Sequence, residues 1–412
     1  MKPVLSKKSQ NFKRTMSPVR QIMMYANPTY FKTLGLNPEN VISFAGGWVN
    51  HKAPAELQKA YRDIAGDDEL MHASGGYSAT LGRLGCKEAL VEYEKNIYGV
   101  TNLESNQIAI GANSTQLLFD LMFVLLDPGD KVLLPDPSYC NYPSQIIAAT
   151  NAGIIRFPII DVDTWEFNAG QHIKEFVDYI QKEKPKVVIL ASPDNPTSQI
   201  LQHEFVKAAH EAVKSIGSFL VIDFAYKDIV FNDGETPEYF SWGPTDNFLS
   251  VHSNSKWSRS LGRRLGWVEA SEEIVQALDS VQSSTILCPD TLHQMALERY
   301  LGEAIKNNTL RPYLKNVSND YKKAAQCLVE AIKKYMNVKC FIPQGGLYTC
   351  INVGMDGAVF VEKVLKEAGV LFVPGWGFGK TLKNAVRISF GPLVYDFKKI
   401  EEGIKRTSPF LK

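Results

Sequence analysis

Residues 187–197 read VVILASPDNPT: four apolar residues closed by a polar, proline-punctuated turn. An apolar run of this length bounded by turn residues fits a strand buried on both faces. The same grammar recurs in FLVIDFAY at 219–226 and in FLSVHSNSK at 248–256. Shorter runs at 108–110, 131–134, 154–158 and 267–269 repeat it, and amphipathic stretches of crossover length lie between them at 116–126, 171–183 and 203–214. Alternation of this kind predicts an α/β fold, a mostly parallel sheet flanked by helices.

Beyond about residue 308 the pattern changes. A long helix is expected over 313–335, strands over 338–342 and 347–353, a helix over 358–367, strands over 370–373 and 386–390, and a final helix. This reads as a small α+β unit. A chain of 412 residues exceeds what one core usually organises. The expected division is a segment 1–56 that joins the small domain, a large domain 57–307, and the small domain 308–412.

Composition removes several classes of function. With 45% hydrophobic and 22% charged residues the chain is that of an ordinary globular protein. A net charge of +1 supplies no field to attract nucleic acid or an anionic membrane, so a small-molecule partner is expected. No apolar run reaches the roughly 18–20 residues that span a bilayer, and the basic segment 1–20 lacks the apolar stretch of a signal peptide. Cys86, Cys140, Cys288, Cys327, Cys340 and Cys350 show no C-x-x-C spacing, and the seven histidines no metal-ligand spacing. The expectation is a cytoplasmic protein with reduced thiols and no metal.

In open α/β sheets, ligands bind beyond the carboxyl ends of the strands. There the sequence places Asn195, then Asp223 and Tyr226, then Ser253, Ser255 and Lys256: amide, carboxylate, phenol, hydroxyls and amine on one sheet edge. The ordered set N-P-T, D-x-A-Y and S-x-S-K, with Arg263 and Arg264 seven and eight residues past the lysine, resembles the fold-type I class I/II aminotransferases. Matches extend over nearly the whole chain.

The resemblance implies an aspartate-aminotransferase-like fold and pyridoxal 5′-phosphate as cofactor. Lys256 would hold the cofactor as a Schiff base, which requires an amine whose pKa is lowered by burial and neighbouring cations. Asp223 would keep the pyridine nitrogen protonated, and Asn195 and Tyr226 would donate to the phenolate oxygen. Ser114 and Thr115, at a helix start, would bind the phosphate with Ser253, Ser255 and one arginine. Both Arg263 and Arg264 stand at spacings the family uses; Arg264 is preferred because it leads directly through Leu265 and Gly266 into the next strand. Tyr139 matches the aromatic that stacks on the ring, and Tyr77 the tyrosine that crosses a homodimer interface. Arg387, a charge inside the apolar run 386–390, would fork the substrate carboxylate.

Two positions depart from the pattern. Ser198 follows N-P-T where relatives commonly have Gly, and Asn113 stands at another frequent Gly position; Asn tolerates positive φ. Residues 282–285 lack the second arginine of dicarboxylate-specific relatives, which disfavours aspartate as substrate. The segments 17–20 and 44–48 resemble the kynurenine/2-aminoadipate branch, making Arg20, Gly47 and Trp48 candidates for the substrate side chain. The expected reaction is ping-pong transamination between an amino acid and a 2-oxo acid. The same site also suits elimination, cyclisation or oxidation, and more remotely a regulator that binds the cofactor without turnover.

Overall fold

The computed structural model describes residues 3–12, 26–231 and 235–411. Numbered along the chain, the strands begin with β1 (Ile42–Ser43), β2 (Ile108–Gly111), β3 (Lys131–Asp136) and β4 (Gly153–Pro158), then a small hairpin of β5 (Ile160–Asp161) and β6 (Glu166–Phe167). Next come β7 (Val187–Ala191), β8 (Phe219–Asp223), β9 (Phe248–Ser253) and β10 (Gly266–Glu269). The last are β11 (Tyr348–Asn352), β12 (Val370–Leu371), β13 (Val373–Pro374) and β14 (Ala385–Ser389). A seven-stranded sheet has the order β2-β10-β9-β8-β7-β3-β4. β10 is antiparallel to both neighbours, and the remaining pairs are parallel.

Because helices cover both faces, the strands are apolar at consecutive positions rather than alternate ones. Leu133, Val188, Leu190, Leu220 and Ile222 enter one core, while Val132, Leu134, Val187, Ile189 and Val221 enter another. The period of two thus divides each run between the faces. Helix His203–Ser215 shows the complementary pattern, burying Phe205, Val206, Ala209, Ala212 and Val213 on one stripe.

The predicted strands and crossover helices are present, with boundaries moved by one to three residues. Four expectations differ. Residues 338–342 form no strand: only Cys340 bridges to Ile351, Ile342 is exposed, and Pro343 has no N–H to continue a ladder. The run 370–373 divides at Phe372, so that β12 pairs with β1 while β13 pairs with β14. The long helix starts earlier, at Leu310, and widens into a π turn over Ile332–Met336. Asn113 is extended, with φ of 176°, and serves as an N-cap whose side chain accepts the Gln116 N–H. Its fitness there is therefore capping, not tolerance of positive φ.

The parallel pairing of β1 with β12 ties the N-terminal segment to the C-terminal strands. Beside it β11, β13 and β14 form a three-stranded antiparallel sheet.

Candidate active site

The parallel register aligns the strand ends. Ala191 pairs with Asp223 and Asp223 with Val251, so the turns after β7, β8 and β9 open on the same side. One cavity there is lined by Asn195, Asp223, Tyr226, Ser253, Ser255, Lys256 and Arg264, by Ser114, Thr115 and Tyr139, and by Gly47, Tyr348 and Arg387. Segments far apart in the chain supply these groups.

Lys256 Nζ donates to the Gly47 carbonyl at 2.6 Å and lies 5.4 Å from the Tyr226 ring centre. Burial, then Arg387 and Arg264, lower its amine to about 8, with Asp223 pulling the other way. A substantial neutral fraction near physiological pH makes it a nucleophile and a base. Asp223 accepts from the Tyr142 hydroxyl at 2.7 Å and the Ala225 N–H at 2.9 Å. Burial pushes its carboxyl up, and those two bonds and Lys256 hold it back.

Helix Ser114–Leu125 begins at the cavity. Asn113 already takes the Gln116 N–H through its side chain and the Leu117 N–H through its carbonyl, leaving the N–H groups of Ser114 and Thr115 without an intrahelical acceptor. Ser114, Thr115, Ser253, Ser255 and Arg264 line the same cavity, and Arg264 Nη1 donates to the Leu261 carbonyl at 2.6 Å. Of the two arginines, Arg264 lines the cavity, while Arg263 stacks on the Tyr61 ring at 4.7 Å.

Arg387 is 1% exposed. It donates to Asn195 Oδ1 at 3.0 Å and to the Ala45 carbonyl at 2.9 Å, and its Nε has no partner. Among the described residues no carboxylate pairs with it. The Tyr348 ring lies 4.3 Å below its guanidinium and the Phe378 ring 5.0 Å away. A buried cation that faces only neutral acceptors and aromatic rings is poised for an incoming anion.

Other sequence candidates fall outside this cavity. Tyr77 is 86% exposed and Trp48 40% exposed. The Trp48 indole folds over Gly46, where a Cβ would lie 2.0 Å from the ring. Arg20, with segment 17–20, lies outside the described residues. Two cavity tyrosines escaped sequence reading. Tyr142 stands three residues past Tyr139 at a helix start, and Tyr348 directly follows Leu347 after the Gly345-Gly346 turn; neither position carries a spacing signal that distinguishes it from core aromatics.

A model of the family described as aminotransferase class I and II matches residues 38–403. The chain belongs to this family. Among curated relatives, the aspartate aminotransferase of Thermotoga maritima is 28% identical over 310 residues, covering 75% of this aminotransferase and 77% of that protein. The aromatic-amino-acid aminotransferase 2 of Thermococcus litoralis is 25% identical over 390 residues, covering 91% and 92%. In fold, the aspartate aminotransferase of Thermus thermophilus solved with maleate superposes with a TM-score of 0.85 at 21% identity, over 100% of both chains.

Aminotransferases of this class use pyridoxal 5′-phosphate, and the cavity lining suits it: hydroxyls and a guanidinium, a buried carboxylate, and an amine lowered to about 8. No helix among the described residues is long and apolar enough to cross a membrane.

Proposed function

We propose that this aminotransferase moves the amino group of an L-amino acid with an aromatic, aliphatic or 2-aminoadipate-like side chain to a 2-oxo acid, with Lys256 as the attachment point and proton carrier. The observation that carries the reading is Arg387, a buried guanidinium with only neutral hydrogen-bond partners. A carboxylate delivered by the substrate would supply the missing charge in a bidentate arrangement.

When bound, the cofactor supplies an electron sink for the pair left behind as a Cα–H bond breaks. Ser114, Thr115, Ser253, Ser255 and Arg264 would hold its phosphate, and Asp223, oriented by Tyr142, would hold a proton on its ring nitrogen. Asn195 and Tyr226 would donate to its phenolate oxygen, and Tyr139 would cover the ring. Lys256 would be the base that takes the substrate's Cα proton and later gives it back. Its amine near 8 suits both directions of that transfer.

The choice of donor rests on residues 282–285, which carry no arginine. Gln282 is buried and donates to the Thr80 and Ile110 carbonyls, so this helix end presents no cation. A relative named for aromatic amino acids agrees with the reading, while others named for aspartate give the alternative its weight. Gly47 borders the cavity with Trp48 next in sequence, and we assign this segment and Arg20 to the side-chain end of the substrate. The exposed Tyr77 supports a homodimer in which it reaches the phosphate cup of the partner.

The test is the visible spectrum of the cofactor-loaded protein after addition of single amino acids without an acceptor. The expected result is stoichiometric conversion to the aminated cofactor by aromatic or 2-aminoadipate-like donors. Conversion by aspartate alone would sink the donor assignment, and ammonia release without conversion would sink transamination.

A further inference from the structure

Tyr348, the first residue of β11, is 1% exposed yet lines the cavity. Its backbone N–H donates to Ser198 Oγ at 2.9 Å. Ser198 holds a φ of +59°, a conformation costly for any residue with a Cβ, and a glycine there would have no hydroxyl to offer. The register pairs Cys350 with Arg387, which makes Tyr348 and Arg387 diagonal neighbours on one sheet face. The Tyr348 ring accordingly lies under the guanidinium.

Its hydroxyl is 2.5 Å from that of Tyr226, with the two rings nearly perpendicular. The same oxygen would lie 2.8 Å from a Cβ at Gly47, so glycine is what lets the phenol reach this depth. Each phenol has one proton. If Tyr226 directs its proton into the cavity, Tyr348 must donate to the Tyr226 oxygen, and a donor that is itself hydrogen-bonded becomes a stronger one.

We propose that Tyr348 is a positioning residue for the amino-transfer reaction: its hydroxyl polarises and orients Tyr226 while its ring holds the Arg387 guanidinium. The inference rests on the reading of Tyr226 as a donor to the cofactor's phenolate oxygen. One side chain thereby aligns the proton donor and the carboxylate receptor, and Ser198 fixes the backbone from which it projects.

The experiment is a pH titration of the visible absorbance of the cofactor-loaded wild type, Tyr348→Phe, Tyr226→Phe and the double variant. A proton donated to the phenolate favours the deprotonated chromophore, so weakening that donor moves the midpoint up. Tyr226→Phe should raise it most, and Tyr348→Phe should raise it by about 0.5 pH unit, the scale of one cooperative bond. The double variant should match Tyr226→Phe alone, because Tyr348 acts through Tyr226. Phenylalanine keeps the ring under Arg387, so the melting temperature should hold in Tyr348→Phe. An unshifted Tyr226→Phe overturns the reading of Tyr226 and this inference with it. A shifted Tyr226→Phe beside an unshifted Tyr348→Phe, or two shifts that simply add, overturns the role of Tyr348 alone.

Discussion

Two buried polar regions share the segment 223–228 and treat charge in opposite ways. Beyond Tyr226, Lys227 turns away from the cavity into a cluster with Glu94, His252 and Glu269, all 2% exposed or less. Lys227 Nζ is 2.7 Å from Glu94 and 3.9 Å from the Tyr98 ring centre; His252 lies 3.4 Å from Glu94 and 3.3 Å from Glu269. Trp267 Nε1 donates to Glu269 at 2.9 Å, and Tyr93 and Tyr98 both donate to Asp228. Burial pushes the Glu94 and Glu269 carboxyls up and His252 well down, all toward neutrality. The ligand atoms of Glu94, His252 and Glu269 lie within 4.8 Å of one another, but Lys227 already supplies their positive charge. The cluster pairs its own charges, with only Glu94 Oε1 left without a hydrogen bond beside the His252 ring. In the cavity, by contrast, Arg387 has no counter-ion among the described residues and Lys256 holds a lowered amine. Self-pairing secures the fold, whereas withheld pairing leaves electrostatic work for a ligand.

If that contrast holds, substitutions on the two sides must fail differently. The largest effect is expected for Lys256→Ala: turnover should fall by about ten-thousand-fold or more while the melting temperature stays level, since no folded partner loses a counter-ion. Lys227→Met should do the reverse. It leaves Glu94 facing His252 and Glu269 without a cation, and denaturant unfolding should register a loss of about 3–5 kcal/mol. Activity per folded molecule should change far less than stability.

Arg387→Leu should lower kcat/KM by about a hundred- to a thousand-fold without lowering the melting temperature, because the guanidinium has no ion pair to lose. A marked loss of stability in this variant would put Arg387 with the cluster and break the comparison.

The pH dependence sharpens it further. Only the neutral amine attacks an aldehyde, so the rate at which cofactor-free protein takes up pyridoxal 5′-phosphate should rise with pH around a midpoint near 8 rather than at the ordinary lysine value. Removing Arg387 should move that midpoint up, since its charge is the largest electrostatic cause of the lowering. The smallest effect belongs to Ser198→Gly. Relief of positive φ should offset the lost hydrogen bond to within about 1 kcal/mol in stability, while KM rises as Tyr348 loosens.

The cavity was legible where chemistry follows strand ends. Asn195, Asp223, Tyr226, Ser253, Ser255 and Lys256 each stand just beyond an apolar run, and parallel register guarantees that such positions converge. Tyr142 and Tyr348 were not legible, since an aromatic near a helix start or after a glycine turn looks the same whether it packs or donates. The cluster was also hidden, because Glu94, Lys227, His252 and Glu269 lie up to 175 residues apart and share no spacing.

By itself the sequence determined the layered α/β plan, through apolar runs that admit only a doubly covered sheet, and the identity of the groups at its carboxyl edge. Tertiary structure alone decided which charges are partnered. Pairing depends on distances of a few ångströms between side chains from different elements, and it took the folded chain to bring Arg264 rather than Arg263 to the cavity lining, to set Tyr348 between Tyr226 and Arg387, and to give Lys227 its carboxylate while leaving Arg387 none among the described residues.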